Sequence, residues 1–461
     1  MTECQITGFE ELKADFQGQL LLPGQDGYEE ARQVWNAMID RRPALIARAA
    51  DTKDVARAVQ FAREQGLPLS VRGGGHNITG SAVRDDGLMI DLSRMTGVQV
   101  DAAARRATVE GGATLADLDR ATQAHGLATP VGINSTTGIG GLTLGGGFGW
   151  LSRRHGMTVD NLESAEVVLA DGQIVRADAT HHPELFWGLR GGGGNFGVVT
   201  RFEFRLHLVG PQVLSGLIVY PLAEAAAVLR RYRAFMAEAP DELTVWAVLR
   251  QAPPLPFLPP AVHGQGVLVL ALMYAGDAQA GAALVDPLRT FGHPVGEHVG
   301  VQPFTAWQQA FDPLLTPGAR NYWKSHNLPE LSDGLIDTVV GFADGLPSPQ
   351  CEIFVAALGG ATMRPAPGDA AYPHRDARFV MNAHARWAGF AEEETSIAWA
   401  RDLFQATAPF STGGVYVNFL TMDQRDGLRA AYGANYDRLA RVKRRYDPDN
   451  LFNQNHNITP A

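Results

Sequence analysis

Cysteine is nearly missing from this chain. Only Cys4 and Cys351 occur in 461 residues, which excludes a disulfide framework and any Cys-rich metal site. No apolar run approaches the roughly 20 residues needed to span a bilayer; the densest, from Gly266 to Tyr274, is far shorter. The stretch from Met1 to Gly8 has neither a basic n-region nor an apolar h-region, so no signal peptide is expected and a cytoplasmic protein without a membrane partner is the default. Clustered basic charge is also lacking. Acidic residues outnumber basic ones 49 to 39 for a net charge of −10, and no Lys/Arg-rich patch offers itself to nucleic acid. There is no Walker sequence and no H-E-x-x-H pair, and no metal site is expected.

Glycine, in contrast, is abundant: 51 residues, against about 7% in an average chain. The excess is concentrated between Gly73 and Gly197, so one part of the chain is specialised. Its most informative stretch is Arg72-Gly73-Gly74-Gly75-His76-Asn77, which follows an apolar run ending at Val71. Three glycines let the backbone turn sharply and present successive N–H groups to an anion. One imidazole then stands beside whatever that anion carries. On spacing alone His76 is either a hydrogen-bonded loop residue or a group with covalent chemistry.

At this length two or more domains are expected. The first half reads as α/β. Asp51 or Thr52 caps a helix stopped by Gly66, and Leu67 to Val71 and Leu88 to Leu92 read as buried strands. Thr114 and Asp117 form a capping box, and Asp171-Gly172 turns a hairpin. After about Pro211 the texture becomes strands (213–220, 243–250, 267–274, 352–356, 379–387) alternating with Ala-rich helices, which suggests an antiparallel sheet backed by helices. From Val415 another short strand is expected, then a basic helix over 436–445.

The segment Gly192-Gly-Gly-Asn-Phe-Gly197 satisfies G-x-G-x-x-G, but it follows a predicted helix (183–189) and opens a strand, whereas a dinucleotide fingerprint needs the reverse order. A different resemblance is carried by Val71-Arg-Gly-Gly-Gly-His-Asn-Ile-Thr-Gly80 and by Gly138-Ile-Gly-Gly-Leu-Thr-Leu-Gly-Gly-Gly-Phe-Gly149. It continues through Arg190 to Val199, Tyr416-Val-Asn-Phe419 and Tyr446 to Ile458. In these segments the chain resembles the FAD-linked oxidases of the vanillyl-alcohol oxidase type, with a PCMH-type FAD-binding domain. More narrowly, it is similar to the berberine-bridge-enzyme-like and 6-hydroxy-D-nicotine-oxidase-like group.

The resemblance implies an α+β, two-domain fold. An FAD-binding domain would span 1–210 (its core about 39–209), a substrate-binding domain of antiparallel sheet and helices 211–410, and a segment at 411–461 would complete the FAD domain. It implies FAD bonded through its 8α-methyl group to His76. Arg72, Gly73, Gly74, Gly75, Asn77, Gly80 and Ser81 would contact the pyrophosphate. Thr136, Thr137, Gly138, Gly141, Gly146 and Gly149 would line the ribityl chain and ring, Val199 would meet the adenine, and Asn418 and Asn455 would close the site. Many relatives carry a second bond from a cysteine; the matching position here is Asn134, so a single bond is expected. Tyr416 matches a catalytic base, and Phe419 stands where plant-like members have a second Tyr. Glu352 is read as a base, an amine-recognising carboxylate or a surface strand end. His374-Arg375-Asp376 is a lid or a turn.

These readings imply an oxidase that passes a hydride from a small organic substrate (alcohol, sugar, amine or natural product) to FAD, with O2 as the second partner and peroxide as product. A natural-product oxygenase or dehydrogenase is the alternative within enzymes. A flavin-carrying binding or electron-transfer protein is the alternative outside them, and a plugged cavity would favour it. The chain is expected to be a monomer or homodimer.

Overall fold

Local sequence signals set the first elements of the computed structural model, which describes residues 7–421, 423 and 427–461. The Asp51 side chain accepts from the N–H groups of Lys53 and Asp54 and caps the helix Thr52–Glu64. The capping box of Thr114 and Asp117 starts Leu115–Gln123. The hairpin at Asp171-Gly172 joins Leu162–Val168 to Ile174–Asp178.

Besides a two-stranded ladder of Leu127–Ala128 with His207–Leu208, three sheets organise the described residues. In the first, Leu45–Arg48, Leu88–Asp91 and Leu69–Arg72 run parallel in that order, with Gln19–Leu21 antiparallel on the outer edge. The second has five antiparallel strands in the order Val98–Asp101, Arg106–Glu110, Val198–Arg205, Leu162–Val168, Ile174–Asp178. The third has seven antiparallel strands: Gly296–Pro303, Gln212–Pro221, Gly266–Tyr274, Leu243–Gln251, Glu352–Ala357, Phe379–Trp387 and Arg320–Leu328. The architecture is α+β, as the resemblance implies.

Strand alternation divides the seven-stranded sheet into two faces. Val245, Ala247 and Leu249 are fully buried in a core shared with Val228 and Tyr232, Leu335 and Val339, and Trp399 and Leu403 of three covering helices. Trp246, Val248 and Arg250, the alternate residues, face a cavity instead. Two of the seven strands carry no clear signal in the sequence. Gly296–Pro303 is an exposed edge with Gly, His and Pro in it, and Arg320–Leu328 is buried although it reads Arg-Asn-Tyr-Trp-Lys-Ser-His-Asn.

The strand expected from Val415 is not there. Val417–Phe419 is a turn of 3-10 helix, because the Asn418 side chain reaches back to the Tyr416 hydroxyl and to the Leu142 carbonyl, 3.1 and 3.2 Å away. The basic helix Tyr436–Tyr446 packs Leu439, Val442 and Tyr446 into a core with Phe186, Trp187 and Phe196. Among the described residues no helix is long and apolar enough to cross a membrane.

Away from the cavity, His155 and His207 stack at 3.8 Å between ring centroids. Burial pushes them down to about 3 and about 4, with neighbouring positive charge adding to the shift. Between pH 6.5 and 4 the unfolded chain therefore protonates these two rings while the folded chain does not. Stability is lost as pH falls through that window, by at most about 1.4 kcal/mol per pH unit for each ring. Thermal unfolding from pH 7 to 4.5 is expected to give a falling melting temperature, with a shallower fall in His155→Gln. An unchanged slope in the variant would show that other groups carry the effect.

Candidate active site

One large cavity lies between the glycine segments and the open face of the seven-stranded sheet. Its first wall is the turn after Leu69–Arg72. Gly73, Gly74, Gly75, His76, Asn77 and Ser81 line it. Gly74 is dictated by close approach: a Cβ there would lie 2.3 Å from the Gly138 nitrogen, and one on Gly138 would lie 2.2 Å from the Gly74 nitrogen. The two glycine segments thus touch backbone to backbone. The Asn77 Oδ1 accepts from the N–H groups of Thr79 and Ser81 and fixes the turn.

His76 is the half-buried end of this loop. Its ring stacks on Trp35 at 5.3 Å and 21°, and its Nε2 lies 2.9 Å from the Thr136 hydroxyl. Burial pushes its pKa down to about 4, with Thr136 opposing, so the ring is neutral at ordinary pH. Asn134 lines the same wall. Its Oδ1 accepts from the Thr136 N–H and hydroxyl at 3.1 and 2.7 Å, and its Nδ2 donates to the Leu315 carbonyl at 3.3 Å. Cys351 is fully buried against the backbone of Arg386 and does not line the cavity. Cys4 lies outside the described residues.

Of the other residues named for FAD, Thr137, Gly138, Gly141, Val199, Asn418 and Asn455 also line the cavity. Five anticipated residues do not. Arg72 turns away to the Ala31 carbonyl and Asp91. Gly80 packs on Ile39, where a Cβ would come within 2.6 Å of its side chain. Thr136 reaches the site only through His76. Gly146 is pressed between Met157 and Tyr372, and a Cβ on Gly149 would sit 1.9 Å from the Val131 carbonyl oxygen. Chain packing accounts for the glycine at both positions.

The opposite wall is a cross-strand row. Arg250 pairs in register with Glu352, Glu352 with His384, and His384 with Trp323. Glu352 is half-buried in the cavity wall and no surface strand end. Its carboxylate binds the Arg250 guanidinium at 2.8 Å and lies 3.3 Å from the His384 Nδ1. Burial pushes the carboxyl up, but Arg250 and His384 outweigh it and hold it below the usual range. Beyond this row the floor turns apolar, with Leu217, Val219, Val248, Val267 and Val269 facing Leu255 and Leu258 of the Pro-rich loop.

Tyr416 stands between the two walls, 3% exposed. Its hydroxyl oxygen accepts from the Gly147 N–H at 2.9 Å and from the Asn418 Nδ2 at 3.1 Å. Burial pushes the phenol up to about 12 against those two donors. Phe419 sits edge-on to Tyr416, Phe354 and Trp323 at 4.8, 5.8 and 5.4 Å, so the residue replacing a second tyrosine closes an aromatic box. His374-Arg375-Asp376 is no lid: buried Arg375 forks onto Asp160 at 2.7 and 2.8 Å.

The donor set fits a long ligand with an anionic centre. The glycine turn lines the cavity, and Asn455 and His456, also in the lining, keep buried polar atoms without a partner. Trp35, Arg250, His384 and His456 were not anticipated; only the strand alternation of Arg250 with Trp246 and Val248 signalled one of them.

Comparison with known proteins agrees with this geometry. A family model described as an FAD binding domain matches residues 43–178, and one described as berberine and berberine like matches 415–459. The chain is 32% identical over 450 residues to an FAD-linked oxidoreductase of Dictyostelium discoideum, covering 96% of this chain and 95% of that one. It is 30% identical over 464 residues to (R)-6-hydroxynicotine oxidase of Paenarthrobacter nicotinovorans, covering 96% and 97%. The solved 6-hydroxy-D-nicotine oxidase of Arthrobacter nicotinovorans superposes with a TM-score of 0.87 at 29% identity, over 97% and 98% of the two chains. The chain therefore belongs to the FAD-linked oxidoreductases of the PCMH type with a berberine-like C-terminal segment, and it is an FAD-dependent oxidoreductase.

Proposed function

We propose that this enzyme is an oxidase of a small alcohol or amine with an apolar body, and that it holds FAD by one covalent bond at His76. The observation that carries the reading is the sharing of one cavity by His76, Tyr416 and the Arg250–Glu352–His384 row. FAD held there by the glycine turn and His76 would supply a hydride acceptor that O2 can reoxidise, with hydrogen peroxide as the product. The extension of its lining past Tyr416 and Glu352 onto an apolar floor supports an enzyme with its own substrate over a flavin carrier.

Each residue has a separable task. The turn from Gly73 to Asn77 and Ser81 binds the phosphates. Neutral His76 offers a ring nitrogen for the tether, and Asn134 offers no thiol for a second one. Tyr416, in its ionised fraction, takes the hydroxyl proton of an alcohol, the phenolate oxygen steadied by the N–H groups of Gly147 and Asn418. Glu352, already neutralised by Arg250, positions the reacting end of the substrate rather than supplying net charge. Breaking a charged hydrogen bond of this kind costs about 1.5–3 kcal/mol. Glu352→Gln is therefore expected to raise KM by about tenfold or more while the flavin stays bound. An unchanged KM would remove Glu352 from the substrate site.

The apolar half of the floor carries the preference for an apolar body. Each methylene laid on Val219, Val248 and Val269 is worth up to about 0.8 kcal/mol. Peroxide release from a series of 4-alkylbenzyl alcohols and N-alkyl cyclic amines should show kcat/KM rising about threefold per added carbon until the shelf is filled. A disaccharide turning over faster than every alkylated probe would contradict this reading.

A further inference from the structure

We propose that the proline-rich loop over residues 253–260 is the end-stop of the substrate site, and that Leu258 sets how long an apolar body the enzyme accepts. This rests on the reading of the apolar floor as the bed of that body.

Strand register places the loop. On the cavity face of the seven-stranded sheet Val248 pairs with Val269, Val269 with Val219, and Val219 with Gly296 of the edge strand. Directly opposed residues share a face, so this row of valines ends on a residue with no side chain. Leu258 takes the vacated place: a Cβ on Gly296 would lie 2.6 Å from the Leu258 Cδ2. The neighbouring row is covered in the same way. Leu217 pairs with His298, and Phe257 stacks on the His298 ring at 5.6 Å and 22°. The loop therefore folds over the edge of the sheet at two successive rows. Leu258 is buried in one cluster with Val219, Val267 and Val269, and Leu255 and Leu258 both line the cavity.

The stop is stiff. Five of the eight residues from 253 to 260 are proline, each with φ fixed and no N–H to offer a neighbouring strand. The neck is closed where the Ala252 N–H donates to the Gln265 carbonyl at 2.9 Å and the Gly264 N–H to the Ala252 carbonyl at 2.8 Å. Within the loop the Leu258 N–H donates to the Leu255 carbonyl at 3.0 Å. The Leu258 carbonyl accepts from His263 Nε2 at 3.2 Å. With its backbone held on both sides, the reach of Leu258 into the site depends on its own side chain and on what stands at position 296. Composition marks this segment as a loop and no more; its task emerges from the glycine that it fills.

The test uses the full-length holoenzyme and 4-alkylbenzyl alcohols from methyl to decyl, with kcat/KM read from peroxide release. Calorimetry with the matching 4-alkylbenzamides, which have no carbinol to oxidise, reads affinity without turnover. In the wild type both quantities should rise with chain length, peak, and then fall by about tenfold over about two further carbons, because overpacking is costly. Leu258→Ala deletes the Cγ and both Cδ carbons of the stop, and its peak should move to chains about two or three carbons longer. Gly296 does not adopt a left-handed φ, so Gly296→Ala is accommodated by the Leu258 tip moving into the cavity, and the peak should move to shorter chains. Should Leu258→Ala fail to fold, Leu258→Val makes a smaller step in the same direction. A peak at the same length in all the enzymes, or a longer one in Gly296→Ala, would overturn the proposal. A peaked amide series with no alcohol oxidised would keep the stop and remove the oxidase reading. Amides and alcohols that both fail to bind would remove the two together.

Discussion

His76→Ala is expected to yield an enzyme whose flavin is lost completely on acid precipitation, whereas the wild type stays yellow in the pellet. His76 lies on the cavity wall with one nitrogen held by Thr136 and its face held by Trp35, so removal of the ring deletes the attachment point and leaves the phosphate turn in place. FAD should still bind, because Gly73, Gly74, Gly75 and Asn77 contribute through their backbone and their turn. Two losses follow. The cofactor becomes able to dissociate, and its ring loses an electron-withdrawing substituent that raises its reduction potential. Hydride transfer should then slow by about tenfold or more, each factor of ten being about 1.4 kcal/mol of barrier. Stopped-flow reduction of the variant under saturating FAD separates the two, because saturation restores occupancy but not potential. Full activity at saturating FAD would restrict the tether to retention of cofactor.

Tyr416→Phe carries the second large effect. A positioned general base contributes about 10²–10⁴-fold, and a loss in that range is expected in the rate of flavin reduction, with the aromatic packing on Phe148 and Phe419 kept. The sign of the pH dependence follows from the environment of the phenol. Burial pushes it up to about 12, so the hydroxyl is protonated at neutral pH and the fraction able to accept a proton grows as pH rises. The reduction rate of the wild type should climb between pH 6 and 10, and Tyr416→Phe should be flat over the same range. A variant that retains the climb would assign the base elsewhere in the row of Arg250, Glu352 and His384.

Much of the fold was written in local signals. The Asp51 cap, the capping box of Thr114 and Asp117 and the turn at Asp171-Gly172 act over a few residues, and each appears where it was expected. The strand after Gly197 was equally legible, because the residues up to Phe204 alternate as a strand with one wet face does, and they form Val198–Arg205. What local sequence does not carry is cross-strand register. Arg250 and His384 meet Glu352 only because three strands pair in one register, and nothing near Glu352 in the chain announces either partner. Trp35 reaches His76 through backbone contacts to Gly75 and Gly318 that likewise have no local signature. Glycines mislead in the other direction. Gly146 and Gly149 look like the cofactor glycines beside them, yet tight packing on Tyr372 and on the Val131 carbonyl accounts for both.

The single tether at His76 is tested most directly by peptide mapping of the isolated enzyme. Trypsin cutting after Arg72 and Arg84 releases Gly73 to Arg84, a peptide in which His76 is the only histidine. Mass spectrometry with flavin fluorescence detection is expected to find one FAD on that peptide alone, on its histidine, with the peptide containing Asn134 unmodified. Flavin released free on denaturation, carried by another peptide, or bridging two peptides would contradict the account.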